Sequence, residues 1–287
     1  AQYEENPYPR WSPPSQPAPF KLSEVVNSLA GLDQIGFEAR CRTVLVAGCG
    51  TGYEPIDIAR ADPTLDVTAM DLSRTSLAYG ARKARELGLE RLRFVQGDIL
   101  ALEPQTPGFD IVTSTGVLHH MADPALGLRR LAGTLRPGGL IRIGLYSRRA
   151  RVLIASVRDL IVQKGWRGTA SDIRLLRAHL LGLPPHDPLA RLTQSEDFFS
   201  ISGCRDLFFH VHEQAYGPLD LVPLLETAGL RLVEFDASPE ANALWRRMHG
   251  DRADRLDMSL WDVIEARNPD LFAAMFQLWA QKPGKAS

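Results

Sequence analysis

Short apolar runs alternate with amphipathic stretches through the middle of this 287-residue chain. The apolar runs have the length of buried strands and lie at 42–47, 66–71, 92–96, 109–114 and 139–146. The stretches between them repeat apolar residues at helical spacing and predict helices over 53–61, 74–87 and 124–135. Strands and helices that alternate through short connections predict an α/β fold, a parallel sheet with helices on both faces.

This alternation stops after Tyr146, and an insertion separates it from the end of the chain. The elements predicted outside the regular part are helices 22–31, 150–163, 171–181 and 218–228, strand 230–236 and an edge strand over 275–282. We divide the chain into a proline- and aromatic-rich N-terminal arm (1–20), a core (21–147), an insertion that caps the substrate (148–213) and a C-terminal completion of the core (214–287).

A glycine-rich turn and a lone acid form the first candidate site. The run Val44–Gly52 reads Val-Leu-Val-Ala-Gly-Cys-Gly-Thr-Gly, and Asp71 closes the next apolar run. Glycines let the backbone approach a ligand where a Cβ would collide. A strand, a glycine turn, a helix and a second strand ending in a carboxylate form half of a nucleoside site, in which the acid accepts hydrogen bonds from the ribose hydroxyls.

The spacing of these glycines narrows the choice of nucleotide. A dinucleotide fingerprint needs G-x-G-x-x-G, but Gly48, Gly50 and Gly52 give G-x-G-x-G, and Tyr53 stands where the third glycine should fall. The lysine and Ser/Thr of a P-loop are missing as well. The pattern therefore disfavours a nicotinamide oxidoreductase and a triphosphate site, and a glycine turn with a purely steric role remains the alternative.

Further motifs follow the glycine turn in order. They are Val44–Gly52, Met70–Ser73, Gln96–Ile99, Phe109–Val112, Gly116–Met121 and Leu135–Leu140. Together they resemble the class I S-adenosylmethionine (SAM) dependent methyltransferases, over 42–147 and more loosely over 216–282. This resemblance implies a Rossmann-like, mostly parallel seven-stranded sheet with an antiparallel last strand and a helical insertion after strand five.

The resemblance also implies a cofactor, SAM, with S-adenosylhomocysteine as its product. Asp71 would bind the ribose diol, Asp98 would accept from the adenine amino group, and the first motif would wrap the amino-acid part. The implied cofactor contacts are Ala47, Gly48, Cys49, Gly50, Gly52, Asp71, Leu72, Gly97, Asp98, Ile99, Thr115 and Val117.

Three further segments suggest a narrower relationship. They are 5–11, 206–213 and the ending Asn-Pro-Asp from residue 268 with Phe272, Met275 and Trp279. These segments are similar to the methyltransferase domain of bacterial tetratricopeptide-repeat methyltransferases. The sequence itself contains no such repeat, and because it does not begin with methionine we expect an excised or processed piece.

Histidines beside the expected methyl position are candidates for a general base, because imidazole is mostly neutral at pH 7. His119 and His120 follow the fourth strand, and we expect at least one to orient the acceptor or remove its proton; a structural pair is the alternative. The other predicted substrate-side residues are His210 and His212, which would share one face of a strand, Tyr146, and a lid of Tyr8, Arg10, Trp11 and Tyr216.

No metal site and no disulfide framework are predicted. His210 and His212 with Glu213 beside them lack a convincing third ligand. Cys41, Cys49 and Cys204 form an odd, sparse set that favours a reducing compartment. The sequence shows neither a run of membrane-spanning length nor a signal segment, and we expect a cytoplasmic protein.

Charge is unevenly distributed. Eight basic residues against Asp159 and Asp172 give 148–177 a charge of +6, although the whole chain has a net charge of −1. This basic segment predicts either a solvated helix face or a flap over an anionic substrate or partner. The near-neutral total gives no general attraction to nucleic acid.

The sequence therefore predicts an enzyme that transfers a methyl group from SAM to an oxygen or nitrogen of a small-molecule, peptide or protein acceptor, which the basic segment would allow to be anionic. Two alternatives stay open. One is a SAM-binding regulatory or scaffold protein without turnover. The other is a nucleic-acid methyltransferase, which the basic segment suggests but the absence of an Asp/Asn-Pro-Pro-Tyr/Phe run after strand four disfavours.

Overall fold

A twisted sheet of seven strands forms the centre of the computed structural model, which describes residues 22–27, 29, 42–104, 108–210 and 213–284. The strands are β1 (Thr43–Ala47), β2 (Asp66–Asp71), β3 (Leu92–Gln96), β4 (Phe109–Thr115), β5 (Leu135–Leu145), β6 (Arg231–Asp236) and β7 (Phe276–Gln281). Their order is β3-β2-β1-β4-β5-β7-β6. All neighbours pair in parallel except β7, which is antiparallel to both β5 and β6. The predicted fold class is confirmed.

Burial along the strands explains this order. In β1 the four residues from Val44 to Ala47 are buried, as expected for a central strand that is covered on both faces. At the edge, β3 alternates less regularly and has exposed residues. The order reverses between β1 and β4, and such a switch point opens a crevice at the carboxyl ends of the strands.

Ten α-helices lie within the described residues. They are α1 (Leu22–Asn27), α2 (Tyr53–Ala61), α3 (Arg74–Glu86), α4 (Pro124–Thr134), α5 (Val152–Lys164), α6 (Ala170–Leu181), α7 (Ile201–Phe208), α8 (Pro218–Glu226), α9 (Pro239–His249) and α10 (Met258–Arg267). Local chemistry fixes where several begin: the side chain of Ser73 accepts from the backbone N–H of Ser76, and Asp123 caps α4 in the same way.

The helices that follow β5 pack around a hydrophobic cluster of their own. Phe198, Phe208 and the apolar faces of α5 and α6 form it. Each of α5, α6 and α7 contributes buried residues, so the insertion is a compact helical unit and not an extended loop.

The basic segment of the insertion is tied to later parts of the chain by ion pairs. Arg148 pairs with Asp220, and Arg149 pairs with Asp262 and Glu265. Glu213 accepts from two further arginines of the segment. The positive charge of the first part of the segment therefore meets carboxylates of this chain, an arrangement that neither interpretation of the sequence included.

The structure differs from the predicted elements in strand β5 and at His210. Strand β5 begins at Leu135 and not at 139, because Leu135 pairs with Phe109 ahead of a register shift. The predicted helix over 22–31 is described only for Leu22–Asn27 and residue 29. His210 follows helix α7 instead of lying on a strand, while the arm (1–20) and His212 lie outside the described residues.

Among the described residues, no helix combines the length and the apolar character that crossing a membrane would need.

Candidate functional site

The turn after β1 is built so closely that glycine is required. Gly48, Gly50 and Gly52 all have positive φ, at 77°, 52° and 89°. A Cβ on Gly48 would lie 2.4 Å from Val117 Cγ2. The N–H groups of Gly48 and Cys49 both donate to the carbonyl of Met70, at 2.8 and 3.0 Å, which fixes the turn against the end of β2.

Asp71 connects this turn to the next one. Its Oδ2 accepts from the N–H of Gly50 at 2.8 Å, and its Oδ1 accepts from the N–H of Ser73 at 2.8 Å. Each carboxylate oxygen has about two lone-pair sites, so each keeps one acceptor position after these bonds. The side chain is only partly buried and lines a cavity.

Asp98 occupies the equivalent position after β3. Its Oδ1 accepts from the N–H of Leu100 at 2.9 Å, which caps a short 3-10 helix (Ile99–Ala101). Beside it, Gly97 donates to the carbonyl of Asp71 at 3.1 Å, and a Cβ there would lie 2.6 Å from Met70 Sδ. The turns after β1, β2 and β3 are thus hydrogen-bonded in sequence along one edge of the sheet.

These turns line one cavity of about 360 Å³. Twelve of the predicted site residues line it: Gly48, Cys49, Gly50, Asp71, Leu72, Gly97, Asp98, Ile99, Thr115, Val117, His120 and Tyr146. Cavities that hold small-molecule ligands measure roughly 300–1,000 Å³. The residues predicted from separate motifs therefore meet around a space of ligand size.

Other predicted residues do not line this cavity. Ala47 is buried in the sheet, Gly52 packs against Phe94 and Gly80, and Tyr216 belongs to the main core, where its N–H donates to Tyr146 O at 2.9 Å. His119 and His210 lie behind the lining. Tyr8, Arg10, Trp11 and His212 lie outside the described residues.

Seven lining residues were not predicted: Tyr53, Glu54, Met70, Gly116, Met121, Asp206 and Met275. Tyr53 and Glu54 open helix α2 directly after the glycine turn, a position that signals proximity to the ligand. Loss of water around Glu54 raises its pKa above the ordinary value. Asp206 and Met275 come from distant parts of the chain, and only the fold brings them here.

The two adjacent histidines have different surroundings. A 3-10 helix (Leu118–His120) turns His119 into the core, where it is fully buried and neither ring nitrogen has a hydrogen-bond partner among the described residues. Burial, aided by nearby positive groups, lowers the pKa of His119 to about 2. His120 lines the cavity instead, and its ring stacks on that of His210 at 3.6 Å between centroids.

Tyr146 is held between two side chains. The ring of His119 stacks on it at 3.8 Å between centroids, and the guanidinium carbon of Arg151 lies 3.8 Å from the ring centre. Burial raises the pKa of Tyr146 to about 12, so the phenol stays protonated at neutral pH and can donate a hydrogen bond into the cavity.

Glu213 holds Arg151 in place. Both oxygens of Glu213 accept from Arg151, at 3.1 and 2.6 Å, and Arg158 donates to the same carboxylate at 2.7 Å. Burial alone would raise the pKa of Glu213, but the two arginines outweigh it and the pKa lies below the ordinary value. The insertion thereby supports the wall of the cavity at Tyr146.

The chain is similar in sequence to a known protein family and to individual proteins of several organisms. A family model described as "Methyltransferase domain" matches residues 44–139. The chain is 30% identical over 172 residues to a ubiquinone biosynthesis O-methyltransferase of Ralstonia nicotianae, covering 58% of this chain and 69% of that relative. It is 32% identical over 202 residues to an uncharacterised protein of Synechococcus sp., covering 67% of this chain and 48% of the relative.

The chain spans about half the length of the first curated relatives that it matches, with shares of 48% and 58%. Among solved structures, PKMT2 from Rickettsia typhi superimposes with a TM-score of 0.66 at 14% identity, over 94% of this chain and 55% of that one. PKMT2 has also been solved in complex with AdoHcy, with a TM-score of 0.61 over 86% of this chain and 49% of that one. At this identity the likeness concerns the fold. The matched domain, the sequence relatives and the sheet order together show that the chain belongs to the class I SAM-dependent methyltransferases.

Proposed function

We propose that this chain binds SAM in the cavity at the carboxyl edge of the sheet and transfers its methyl group to an acceptor. The observation that carries the proposal is the meeting of Asp71 and Asp98 with the Gly48–Gly50 turn around one space of ligand size. Asp71 would accept from the ribose hydroxyls, and Asp98 would accept from the adenine amino group.

The residues present suit such a ligand. Gly48 leaves room that a Cβ would fill, because that atom would collide with Val117. Each carboxylate oxygen of Asp71 accepts one backbone N–H, and these two bonds fix the orientation of the side chain. Each oxygen keeps one further acceptor position, so the carboxylate can accept from two adjacent hydroxyls. Leu72 and Ile99 flank these acids in the cavity and offer apolar surface for the adenine ring.

Bound SAM would supply a methyl group that its sulfonium already activates. The chain then has to hold the acceptor in line with that methyl group and exclude water. Alignment of this kind contributes about 7–11 kcal/mol in favourable cases. Tyr146, held between His119 and Arg151, offers a rigid donor for positioning the acceptor.

We assign the acceptor to the end of the cavity that His120, Tyr146 and Asp206 line. Of the two histidines predicted as base, we retain His120 for the acceptor side. His119 is a poor candidate, because its pKa near 2 makes it a weak base and it does not line the cavity. The O-methyltransferase relative favours oxygen over nitrogen as the atom methylated.

The acceptor itself is proposed only by class, as a small molecule, a peptide or a protein. The narrower relationship to tetratricopeptide-repeat methyltransferases stays a prediction. Cys49 and Cys204 are buried free thiols, which supports the expected reducing, cytoplasmic setting.

Two measurements test the proposal. Isothermal titration of the chain with SAM and with S-adenosylhomocysteine should give one site per chain, and absence of heat at high protein concentration would refute SAM binding. Transfer of labelled methyl from SAM should then be measured with hydroxyl, amine and peptide acceptors. His120→Ala should lower turnover more than SAM affinity, whereas exposed His179→Ala on α6 should change neither. Binding without any labelled product would point to a regulatory SAM-binding protein.

A further inference from the structure

Three potential ligand atoms for a metal ion converge beside the cavity. One nitrogen of His120, one of His210 and a carboxylate oxygen of Asp206 all lie within 4.8 Å of one another. His120 and Asp206 line the cavity, and His210 stacks on His120 at 3.6 Å between ring centroids. This cluster is separate from the acids of the proposed SAM contacts.

The fold brings these residues together from two distant segments. His120 ends the 3-10 helix after β4, whereas Asp206 lies on α7 and His210 follows that helix by two residues. Asp206 lies in the last turn of α7, and the chain just beyond the end of that helix brings His210 within reach of the same point. The sequence alone shows no convincing third ligand beside His210 and His212, whereas the fold places His120 and Asp206 beside His210.

Burial makes the arrangement more than a chance surface cluster. Asp206 is only 6% exposed, so it differs from the exposed acidic groups that cluster on protein surfaces without binding an ion. The cluster also combines two imidazoles with one carboxylate, which are donors that suit a transition-metal ion.

We propose that His120, Asp206 and His210 bind a divalent first-row transition-metal ion, for which Zn²⁺ is the natural probe. Two imidazoles and one carboxylate are one of the donor sets found in catalytic zinc sites, which keep a further position open. Tetrahedral bonds of 2.0–2.1 Å place ligand atoms roughly 3.3 Å apart. The two stacked rings must therefore turn toward each other by side-chain rotation, which the position of His210 beyond the helix end permits.

This inference deepens the proposed function and, in its consequence for chemistry, rests on it. An ion at this wall of the cavity would bind an acceptor hydroxyl and favour loss of its proton to solvent. The oxygen electron pair then forms the bond to the methyl carbon, while the carbon–sulfur bond breaks and leaves its pair on sulfur. The acceptor class is therefore an alcohol, a phenol or an enol rather than an amine.

The test measures metal binding without any methyl transfer. The EDTA-treated chain is titrated with ZnCl₂ by calorimetry, and Co²⁺ is added in parallel to record visible absorption of the bound ion. We expect one tight Zn²⁺ per chain in the wild type and in exposed His179→Ala. Asp206→Asn and His210→Ala should each weaken binding roughly tenfold or more.

Two further measurements keep the outcome clear. Circular dichroism and thermal unfolding show whether Asp206→Asn and His210→Ala are folded, and Asp206→Asn preserves the shape of the side chain. The metal site is refuted if the wild type binds no Zn²⁺, or if both folded variants bind it as the wild type does. SAM binding is titrated separately in the presence of EDTA. If the chain binds SAM but no Zn²⁺, only the metal site is refuted. If it binds Zn²⁺ but no SAM, only the methyltransferase proposal is refuted.

Discussion

The carboxylate of Asp71 accepts a hydrogen bond of 2.8 Å from the backbone N–H of Gly50. A side chain at the end of β2 thus fixes the conformation of the turn after β1. Because its other oxygen accepts from the N–H of Ser73, the carboxylate is oriented before any ligand arrives. The site is therefore preorganised, which lowers the entropic cost of binding.

Asp71→Ala should weaken SAM binding strongly. The variant loses the acceptor for two hydroxyls, and hydrogen bonds to a charged group contribute about 1.5–3 kcal/mol each. We expect the Kd for SAM to rise about a hundredfold, which corresponds to about 2.7 kcal/mol. The Kd of Asp71→Asn, which keeps one acceptor oxygen, should lie between those of the wild type and of Asp71→Ala.

The matched control is Asp66→Asn at the other end of β2. Asp66 is exposed and paired with Arg91, far from the cavity edge, so its replacement should leave the Kd unchanged. Titration calorimetry measures all three variants, and a wild-type Kd in Asp71→Ala would contradict the assigned role.

Gly48→Ala should destabilise the protein more than Gly88→Ala. Both glycines have positive φ, 77° and 68°, so both replacements pay about 1–2 kcal/mol for a left-handed residue. Only at Gly48 does the new Cβ meet a neighbour, Val117 Cγ2 at 2.4 Å, whereas Gly88 has no atom within 4 Å. The collision should add about 1–3 kcal/mol.

Urea unfolding of both variants measures this difference. A second substitution, Val117→Ala, makes space for the new methyl group and should recover part of the loss in Gly48→Ala but none in Gly88→Ala. Equal losses in the two single variants would show that the turn tolerates a side chain at Gly48.

The part of the site that depends on local chain geometry could be predicted from the sequence. Parallel strands bring their carboxyl ends to one edge, so a glycine turn, Asp71 and Asp98 had to lie close together once the strands were recognised. Ala47 and Gly52 flank the turn but do not line the cavity, because Ala47 is buried in the sheet and Gly52 packs against Phe94 and Gly80.

Residues whose orientation depends on packing could not be predicted. Two adjacent histidines are equivalent in the sequence, yet a turn of 3-10 helix buries His119 and leaves His120 at the cavity. Asp206 and His210 come close to His120 only because the insertion packs beside the ends of β4 and β5. The helices of the insertion are not paired in the sheet, so the order of the strands does not predict where they lie. The sequence likewise did not predict that Tyr216, expected in a lid, is buried in the main core.

Asp98→Ala should remove discrimination at the adenine amino group. Asp98 is exposed at the cavity edge, so the bond it offers is weaker than a buried one, and we expect a rise of about five- to tenfold in the Kd for S-adenosylhomocysteine. The inosine analogue lacks the amino group. The wild type should therefore prefer the adenosine form, and Asp98→Ala should bind both forms equally.

Calorimetric titration with the two forms separates this role from a structural one. Because Asp98 also caps the helix Ile99–Ala101, a general loss of structure would weaken both ligands together. Asp98→Asn tests the same point, since it keeps an oxygen for the cap but lacks the charge. Retained preference for adenosine in Asp98→Ala would contradict the assignment.

Glu213 accepts hydrogen bonds from two arginines, and one of them, Arg151, lies over the ring of Tyr146 in the wall of the cavity. Its side chain is 5% exposed, and those of Arg151 and Arg158 are 9% and 23% exposed. Removing one partner of a buried ion pair leaves the other charge uncompensated and costs about 3–5 kcal/mol. The stability of this region should therefore depend on the ionised form of Glu213.

Glu213→Gln should lower the free energy of unfolding by about 3 kcal/mol at pH 7. Because the folded-state pKa of Glu213 lies below its ordinary value of 4.5, the unfolded state takes up the proton first. The contribution is therefore complete above pH 4.5 and is lost as the pH falls through the lower folded value, so wild type and variant should converge in acid. Urea unfolding from pH 7 to well below pH 4 measures this convergence. Glu86→Gln is the control, since Glu86 also has a lowered pKa beside Lys83 but is fully exposed and should not affect stability. A constant gap between wild type and Glu213→Gln down to pH 4 and below would mean that packing, not charge, accounts for the effect.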